Sequence, residues 1–198
     1  MGRKNKRNEL VVLGLDLVHR SSFASSGVAS IAEAAGAPKG SFYNHFKSKE
    51  DFGNIILAHY FEDVLFGLTE TLEANDQPAY SCLRIYFERL LDYNAKHDFA
   101  RGCLIGNLGA EVSSLEKSMR TNLDRMLSQW SGRIAQCIAK GQQDGSVRKT
   151  ESADTLARLL LDAWQGVVLR SKVERSAKSQ IEFISILLPR LVGTDLST

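Results

Sequence analysis

The chain has 198 residues, 43% of them hydrophobic, and 25 Lys and Arg against 23 Asp and Glu give a formal net charge of +2. That is enough apolar material for one small helical head and a larger helical body, and no stretch reaches the ~18 uninterrupted apolar residues of a membrane span. Three cysteines, at 82, 103 and 137, are odd in number and widely spaced, which fits reduced thiols in a cytoplasm rather than a disulfide framework, and the histidines at 19, 45, 59 and 97 have no metal-ligand spacing.

The N-terminus is basic, but the LVVLGLDLV that follows is broken by Asp16 and lacks a small-residue cleavage site. It reads as a first helix with Leu10, Leu13 and Leu17 on one face, not as a signal peptide. Val28, Ile31, Ala32 and Ala35 then fall at i, i+3, i+4 and i+7, one apolar stripe on a short helix, and Gly36 follows as a residue that tolerates a left-handed cap. Small side chains at Ala32, Ala34 and Ala35 let the next helix cross closely. That helix begins near Pro38 and buries Phe42 and Phe46 at i and i+4. Its other faces carry Gly40, Ser41, Tyr43, Asn44 and His45, short or planar hydrogen-bonding groups where a merely solvated helix would carry Glu and Lys. Such groups suit the edge of a DNA major groove and its phosphates. Ser48 opens the following helix as an N-cap, with Asp51 three residues on completing a capping box.

The stretch from 8 to 59, and above all IAEAAGAPKGSFYNHFKSKE, resembles the N-terminal DNA-binding domain of the TetR/AcrR family of transcriptional regulators. The resemblance implies an all-α homodimer: a three-helix helix-turn-helix DNA-binding domain over 1–47, then a helical ligand-binding and dimerisation domain over 48–198. It also implies a double-stranded DNA operator and a small-molecule inducer as partners, with no cofactor and no membrane. By motif position, Gly36 is the turn glycine, Lys39 to Phe46 the recognition helix, Tyr43 and His45 the pair that contacts backbone and neighbouring bases, and Lys49 the phosphate-clamping lysine. Two positions depart from the pattern: Pro38 stands where a serine-like cap is usual, and Ser22 where a glycine precedes the aromatic residue, here Phe23. Residues 1–50 hold eight Lys and Arg against four Asp and Glu, a net +4, while the remainder, at 17 against 19, is −2. The positive charge lies where the motif needs it. The RKNKR run at 3–7 fits either a solubilising tail or an arm along the DNA backbone.

Beyond the head the sequence reads as helices with punctuated joints and no strand signal. The segments are Ser48 to about Glu73, ending at an Asn75–Pro78 turn; about Ala79 to Lys96; about Cys103 to Ser113; and about Glu116 to Gln143, closed by Asp144-Gly145. Leu156, Leu159, Leu160, Ala163, Trp164 and Val167 form a stripe at helical spacing, and Ile181, Ile184, Leu188 and Leu191 form a second. Two such helices suit either plain core or a four-helix dimer interface, and a palindromic operator favours the dimer. The resemblance places an inducer pocket among the middle helices, with Phe61, Phe66, Tyr86, Tyr93, Cys103, Asn107 and Trp130 as candidate lining residues. Each also has a plain reading as core.

Cys103 lies in RGCLIGNLGAE, after a loop and at the first turn of a helix, where free backbone amides and the neighbouring Arg101 favour a thiolate. This segment is similar to the Gly-Cys-Leu and Gly-Asn signature of a subgroup whose repressors answer to electrophiles such as N-ethylmaleimide, quinones and α,β-unsaturated compounds. Lys172 is the candidate nearby cation. The plain reading is a small buried hydrophobe, as for Cys82 and Cys137. The alternative function is a thiol-dependent enzyme or redox module centred on Cys103, but an enzyme needs a base beside the thiol and no histidine is well spaced to supply it. No glycine-rich phosphate loop or nucleophile elbow is present.

Overall fold

The computed structural model describes residues 2–73, 77–112 and 117–194. All regular structure among them is helical: α1 (Gly2–Arg20), α2 (Val28–Ala34), α3 (Lys39–Tyr43), α4 (Lys49–Leu68) running on into a π-helical turn at Thr69–Glu73, α5 (Ala79–Ala95), α6 (Leu104–Val112), α7 (Lys117–Asp144), α8 (Ala153–Glu174), α9 (Lys178–Glu182), a π-helical turn at Phe183–Leu187, and α10 (Leu188–Val192). The expected turn residues Asn75 and Asp76 and the helix ends at Ser113 and Glu116 lie outside the described residues. The chain forms two compact units: residues up to 62 with 104–126, and residues 63–103 with 127 onward.

In the first unit, Gly36 at φ 60° ends α2. Its neighbour Ala37 donates from its backbone N–H to the Ala32 carbonyl at 2.9 Å, and the Gly36 N–H donates to Glu33 O at 2.8 Å, a six-to-one closure that needs a left-handed residue. Lys6 Nζ donates to the Ala35 carbonyl at 2.8 Å and pairs with Glu9 at 2.8 Å, so part of the basic run closes the C-terminus of α2. Arg7 lies over the Phe46 ring, 5.6 Å from its centroid. These two side chains are part of the folded head, neither a loose tail nor a free arm.

Three rings make the head core: Phe42, Phe46 and Phe52, with centroids 4.9, 5.0 and 5.4 Å apart. The expected recognition helix, α3, is shorter than the sequence implies. It ends at Tyr43, because the chain must turn through Asn44 and His45 to put Phe46 under Phe42 and leave Ser48 free to cap α4. Pro38, extended at φ −63°, ψ 148°, is the N-cap, not the first helical residue. Asp51 N–H donates to Ser48 Oγ at 3.1 Å, and the Asp51 carboxylate accepts from the Lys47 N–H at 3.0 Å, so the capping box closes one residue early. Two packing expectations also change. The buried face of α1 is Leu10, Val11, Gly14 and Val18, while Leu13 is exposed and Leu17 half-buried; Ala34 is exposed too. The reason is Phe52, whose ring fills the space beside Gly14 and turns α1 toward that glycine.

The second unit packs α5, α8 and the C-terminal segment around Phe87, Trp164 and Phe183, centroids 4.8 to 5.1 Å apart. Ser152 caps α8, accepting from the Thr155 N–H at 3.2 Å. Asp144 Oδ1 accepts from the Ser146 N–H at 2.8 Å beside Gly145 at φ 84°, as the Asp-Gly turn requires. The two C-terminal stripes divide. Leu156, Leu160, Trp164, Ile184 and Leu188 are buried, whereas Leu159 and Ile181, with Leu169, Val173 and Ile186, are exposed.

Cys82 and Cys137 are both buried, and their thiols donate to the carbonyls of Gln77 at 3.5 Å and Ala79 at 3.6 Å. Burial pushes the Cys137 thiol up to about 12 and raises Cys82 as well.

Two outcomes follow from this packing. A methyl group at Gly14 would stand 2.6 Å from Phe52 Cζ and 3.0 Å from Ile31 Cγ2, both buried, so Gly14→Ala should destabilise by about 1–3 kcal/mol in urea titrations. Gly40→Ala, with nothing within 4 Å, is the control and should not destabilise. Because the folded Cys137 pKa lies above the ordinary value of 9, its stabilising contribution is complete below about pH 9 and declines as pH rises toward 12. Denaturation of wild type and Cys137→Ala at pH 8 and pH 10 should show wild type losing more stability, and an unchanged difference would rule the effect out.

Candidate nucleic-acid interface and sensor site

The groups expected to read DNA sit together at the end of α3. Lys39, Gly40 and Asn44 are exposed, Ser41 and His45 half-buried, and the Tyr43 ring is 55% exposed while its inner edge meets Phe42 at 5.4 Å. Phe42 and Phe46 anchor the inner face, so the backbone that carries the outer groups is held by a packed core. A Cβ at Gly40 would meet open space, so no packing within the head requires glycine there. Lys49, at the start of α4, is also held: its ammonium lies 4.7 Å from the Phe23 ring centroid and donates to the Ala24 carbonyl at 3.2 Å. One of its three protons is thereby used, and the cation is fixed at the helix start with the rest available.

Sequence reasoning missed Glu111, on α6. Its Oε2 accepts from Ser22 Oγ and from the Ala24 backbone N–H, both at 2.9 Å. Ser22, the departure from the family pattern, is thus the hydroxyl that ties the α1–α2 loop to α6. Asn54 of α4 meets Ser118 and Asn122 of α7 at 3.4 and 2.8 Å within the same unit. Both ties cross more than 60 residues of sequence, and no local pattern announces them.

The candidate sensor residues scatter. Cys103 is 7% exposed and stands immediately before α6, at the cap rather than in the first turn. Its sulfur accepts from Gln165 Nε2 of α8 at 3.3 Å. Gln165 is the second residue the sequence did not signal, and it stands about two helical turns before the half-buried Lys172. Tyr86 and Trp130, in the same unit, are each 2% exposed, and neither the Tyr86 hydroxyl nor Trp130 Nε1 has a hydrogen-bond partner. Burial pushes the Tyr86 phenol far above its usual range, with Trp130 opposing the shift and Cys103 adding to it. Phe66, 63% exposed, and Tyr93, paired at its edge with His97 at 4.8 Å, stand at the surface. Phe61 is buried and Asn107 half-buried, both within the first unit.

His97 Nε2 accepts from Arg101 Nη1 at 3.1 Å, which engages the lone pair a thiol enzyme would need from it. Among the described residues there is no cluster of metal-ligating side chains, and no helix is long and apolar enough to cross a membrane.

Residues 13–52 match the family of bacterial regulatory proteins, tetR family, and residues 79–187 match the tetracyclin repressor-like C-terminal domain. The repressor DhaR of Mycobacterium sp. strain GP1 is 37% identical over 192 residues, covering 97% of this chain and 95% of its own length. The regulator AcuR of Cereibacter sphaeroides is 34% identical over 167 residues, covering 83% and 75%. The crystal structure of reduced Escherichia coli NemR superposes with a TM-score of 0.88 at 26% identity, covering 97% of this chain and 99% of that one. With the exposed polar face of α3 carried on a helix-turn-helix head, these matches make the chain a member of the TetR family of transcriptional regulators, not an enzyme.

Proposed function

We propose that this chain is a cytoplasmic repressor that grips a pseudo-palindromic operator as a homodimer and lets go when a thiol-reactive electrophile modifies Cys103. The observation that carries the DNA half is the outward set of Lys39, Gly40, Ser41, Tyr43, Asn44 and His45 on a helix whose inner face is locked by Phe42 and Phe46. Ser41 and Asn44 reach base edges, Tyr43 and His45 the backbone and its neighbouring bases, and Lys49 a phosphate. Domain roles follow the same division, with residues 1–47 reading DNA and 48–198 binding ligand and partner. The exposed Leu159, Leu169, Val173, Ile181 and Ile186 on the last helices support the two-fold partner, because apolar side chains left outside a well-filled core need a second surface.

The sensor half rests on the place of Cys103 immediately before α6, where its sulfur accepts from Gln165 Nε2 at 3.3 Å. The route to the head is covalent and short. Cys103 precedes α6, and α6 carries Glu111, which holds Ser22 and Ala24, the loop whose carbonyl also receives Lys49. An adduct that displaces α6 disturbs that loop and with it the setting of the recognition helix.

Footprinting should show symmetric protection with half-site centres about 34–36 Å apart or slightly more, on one side of the duplex. Lys49→Ala should weaken binding to all DNA alike and lower the salt slope by about one, whereas Ser41→Ala and Asn44→Ala should each cost roughly 1–3 kcal/mol on the specific site only. Tyr43→Ala should do some of both. Gly40→Ala should fold normally and still lose operator affinity, because only the approaching DNA meets its methyl. Equal losses on specific and random sequence for every substitution would place the reading surface elsewhere.

A further inference from the structure

Lys49 is the cation expected to hold a phosphate, and its seat is built from well beyond its own helix. Its ammonium donates to the Ala24 carbonyl at 3.2 Å. The other end of that peptide is the Ser25 N–H, which donates to Ser22 Oγ at 3.3 Å. Ser22 Oγ in turn donates to Glu111 Oε2 of α6 at 2.9 Å, and the same carboxylate oxygen accepts from the Ala24 N–H at 2.9 Å. Every link points the same way, so the groups form one head-to-tail chain from an ammonium, through a peptide and a hydroxyl, to a carboxylate. Aligned donors and acceptors polarise one another, and a charge at each end strengthens the link beside it. The Ser22 carbonyl holds the next turn of the loop, accepting from the Ser26 N–H at 3.1 Å and from Ser26 Oγ at 2.6 Å. Phe23 forms the other side of the seat: its buried ring lies 4.7 Å from the ammonium, and a Cβ on Gly53 would stand 2.8 Å from that ring. All of these residues belong to the first unit.

We propose that Ser22 and Glu111 are positioning residues for DNA binding: they fix the Ala24–Ser25 peptide that seats Lys49, so that a carboxylate of α6 sets the strength of a phosphate contact made from α4. This rests on the reading of Lys49 as a phosphate contact and adds what prepares it. A lysine on its flexible stem loses rotamer freedom when it grips a phosphate, and one already seated has less to lose. Two of its three ammonium protons stay available for the DNA, because the Ala24 carbonyl takes only one. The hydroxyl is the indispensable middle link. A glycine at position 22 would leave the Ala24 N–H bonded to Glu111 but would have nothing to join Ser25 to it, so the chain exists because serine stands there. The link reaches the DNA contact without moving α3, and it therefore acts on affinity for every sequence rather than on the choice of bases.

The test is binding of the full-length protein to a fluorescein-labelled duplex of mixed sequence over a series of KCl concentrations, a probe that reports phosphate contacts without needing the operator. Ser22→Ala and Glu111→Ala should each weaken binding by about 3- to 10-fold at low salt and flatten the dependence of log Kd on log salt, in the same sense as Lys49→Ala. Glu111→Gln loses the charge but keeps an oxygen that can accept both bonds, so it should stay within about threefold of wild type and separates the seat from a change in net charge. A double-mutant cycle isolates the link: Lys49→Ala should cost at least about threefold less on a Ser22→Ala background than on wild type. The cycle compares the loss of Lys49 within each background, so a general loosening of the head by Ser22→Ala cancels. An equal cost of Lys49→Ala on both backgrounds, or Glu111→Gln as weak as Glu111→Ala, would overturn this proposal and leave Lys49 standing as a phosphate contact. Lys49→Ala with no effect on affinity or salt slope in the wild-type background would overturn both.

Discussion

The side chain of Phe52 sets the geometry on which the proposed DNA-reading surface depends. It is fully buried, and its ring touches Phe42 and Phe46 on one side while its tip fills the space that Gly14 leaves open on α1. Burying one such ring contributes about 1.5–3 kcal/mol, and each well-set aromatic pair adds about 0.5–1.5. In a head this small those few contacts are a large part of what keeps α3 at a fixed angle to α4. The α3 helix has barely more than one turn and cannot hold itself. It is α4, through Phe52, that holds it, and any change in the pose of α4 therefore reaches the side chains proposed to read bases without a hinge between.

The second unit shows the reverse choice. Leaving the Tyr86 hydroxyl and the Trp130 N–H buried without partners costs about 1–3 kcal/mol each, where an apolar pair of similar shape would cost nothing. Cys82 and Cys137 differ from Cys103 in hydrogen bonding: their thiols donate to nearby carbonyls, whereas the Cys103 sulfur accepts from Gln165 Nε2.

Much of this was legible in the sequence where the signal is local. Gly36 as a left-handed turn, Ser48 as an N-cap, the Asp144-Gly145 turn and the succession of body helices all rest on contacts within a few residues. The register of α1 was not, because LVVLGLDLV is apolar on nearly every side and offers no stripe to choose. The choice is made by Phe52, far along the chain. The early end of α3 was hidden for the same reason, since Phe46 leaves the helix to complete a ring cluster with a residue beyond the next turn. Gln165 and Glu111 act across 62 and 89 residues, and a glutamine on an amphipathic helix or a glutamate near a helix end carries no mark of its distant partner. Cys103 was singled out because its neighbours spell a motif; that the Tyr86 hydroxyl and the Trp130 N–H are buried without partners shows only in the fold.

The central claim is that chemistry at Cys103 governs the grip on DNA. The most direct measurement is operator affinity before and after stoichiometric modification with N-ethylmaleimide, in wild type and in Cys103→Ser, with adducts mapped by mass spectrometry. The account predicts a single adduct at Cys103 in the folded protein and at least about a tenfold loss of affinity in wild type, against little change in Cys103→Ser, a tenfold change being about 1.4 kcal/mol of coupling. Wild type that carries the Cys103 adduct and binds its operator unchanged would contradict it, as would an equal loss in Cys103→Ser.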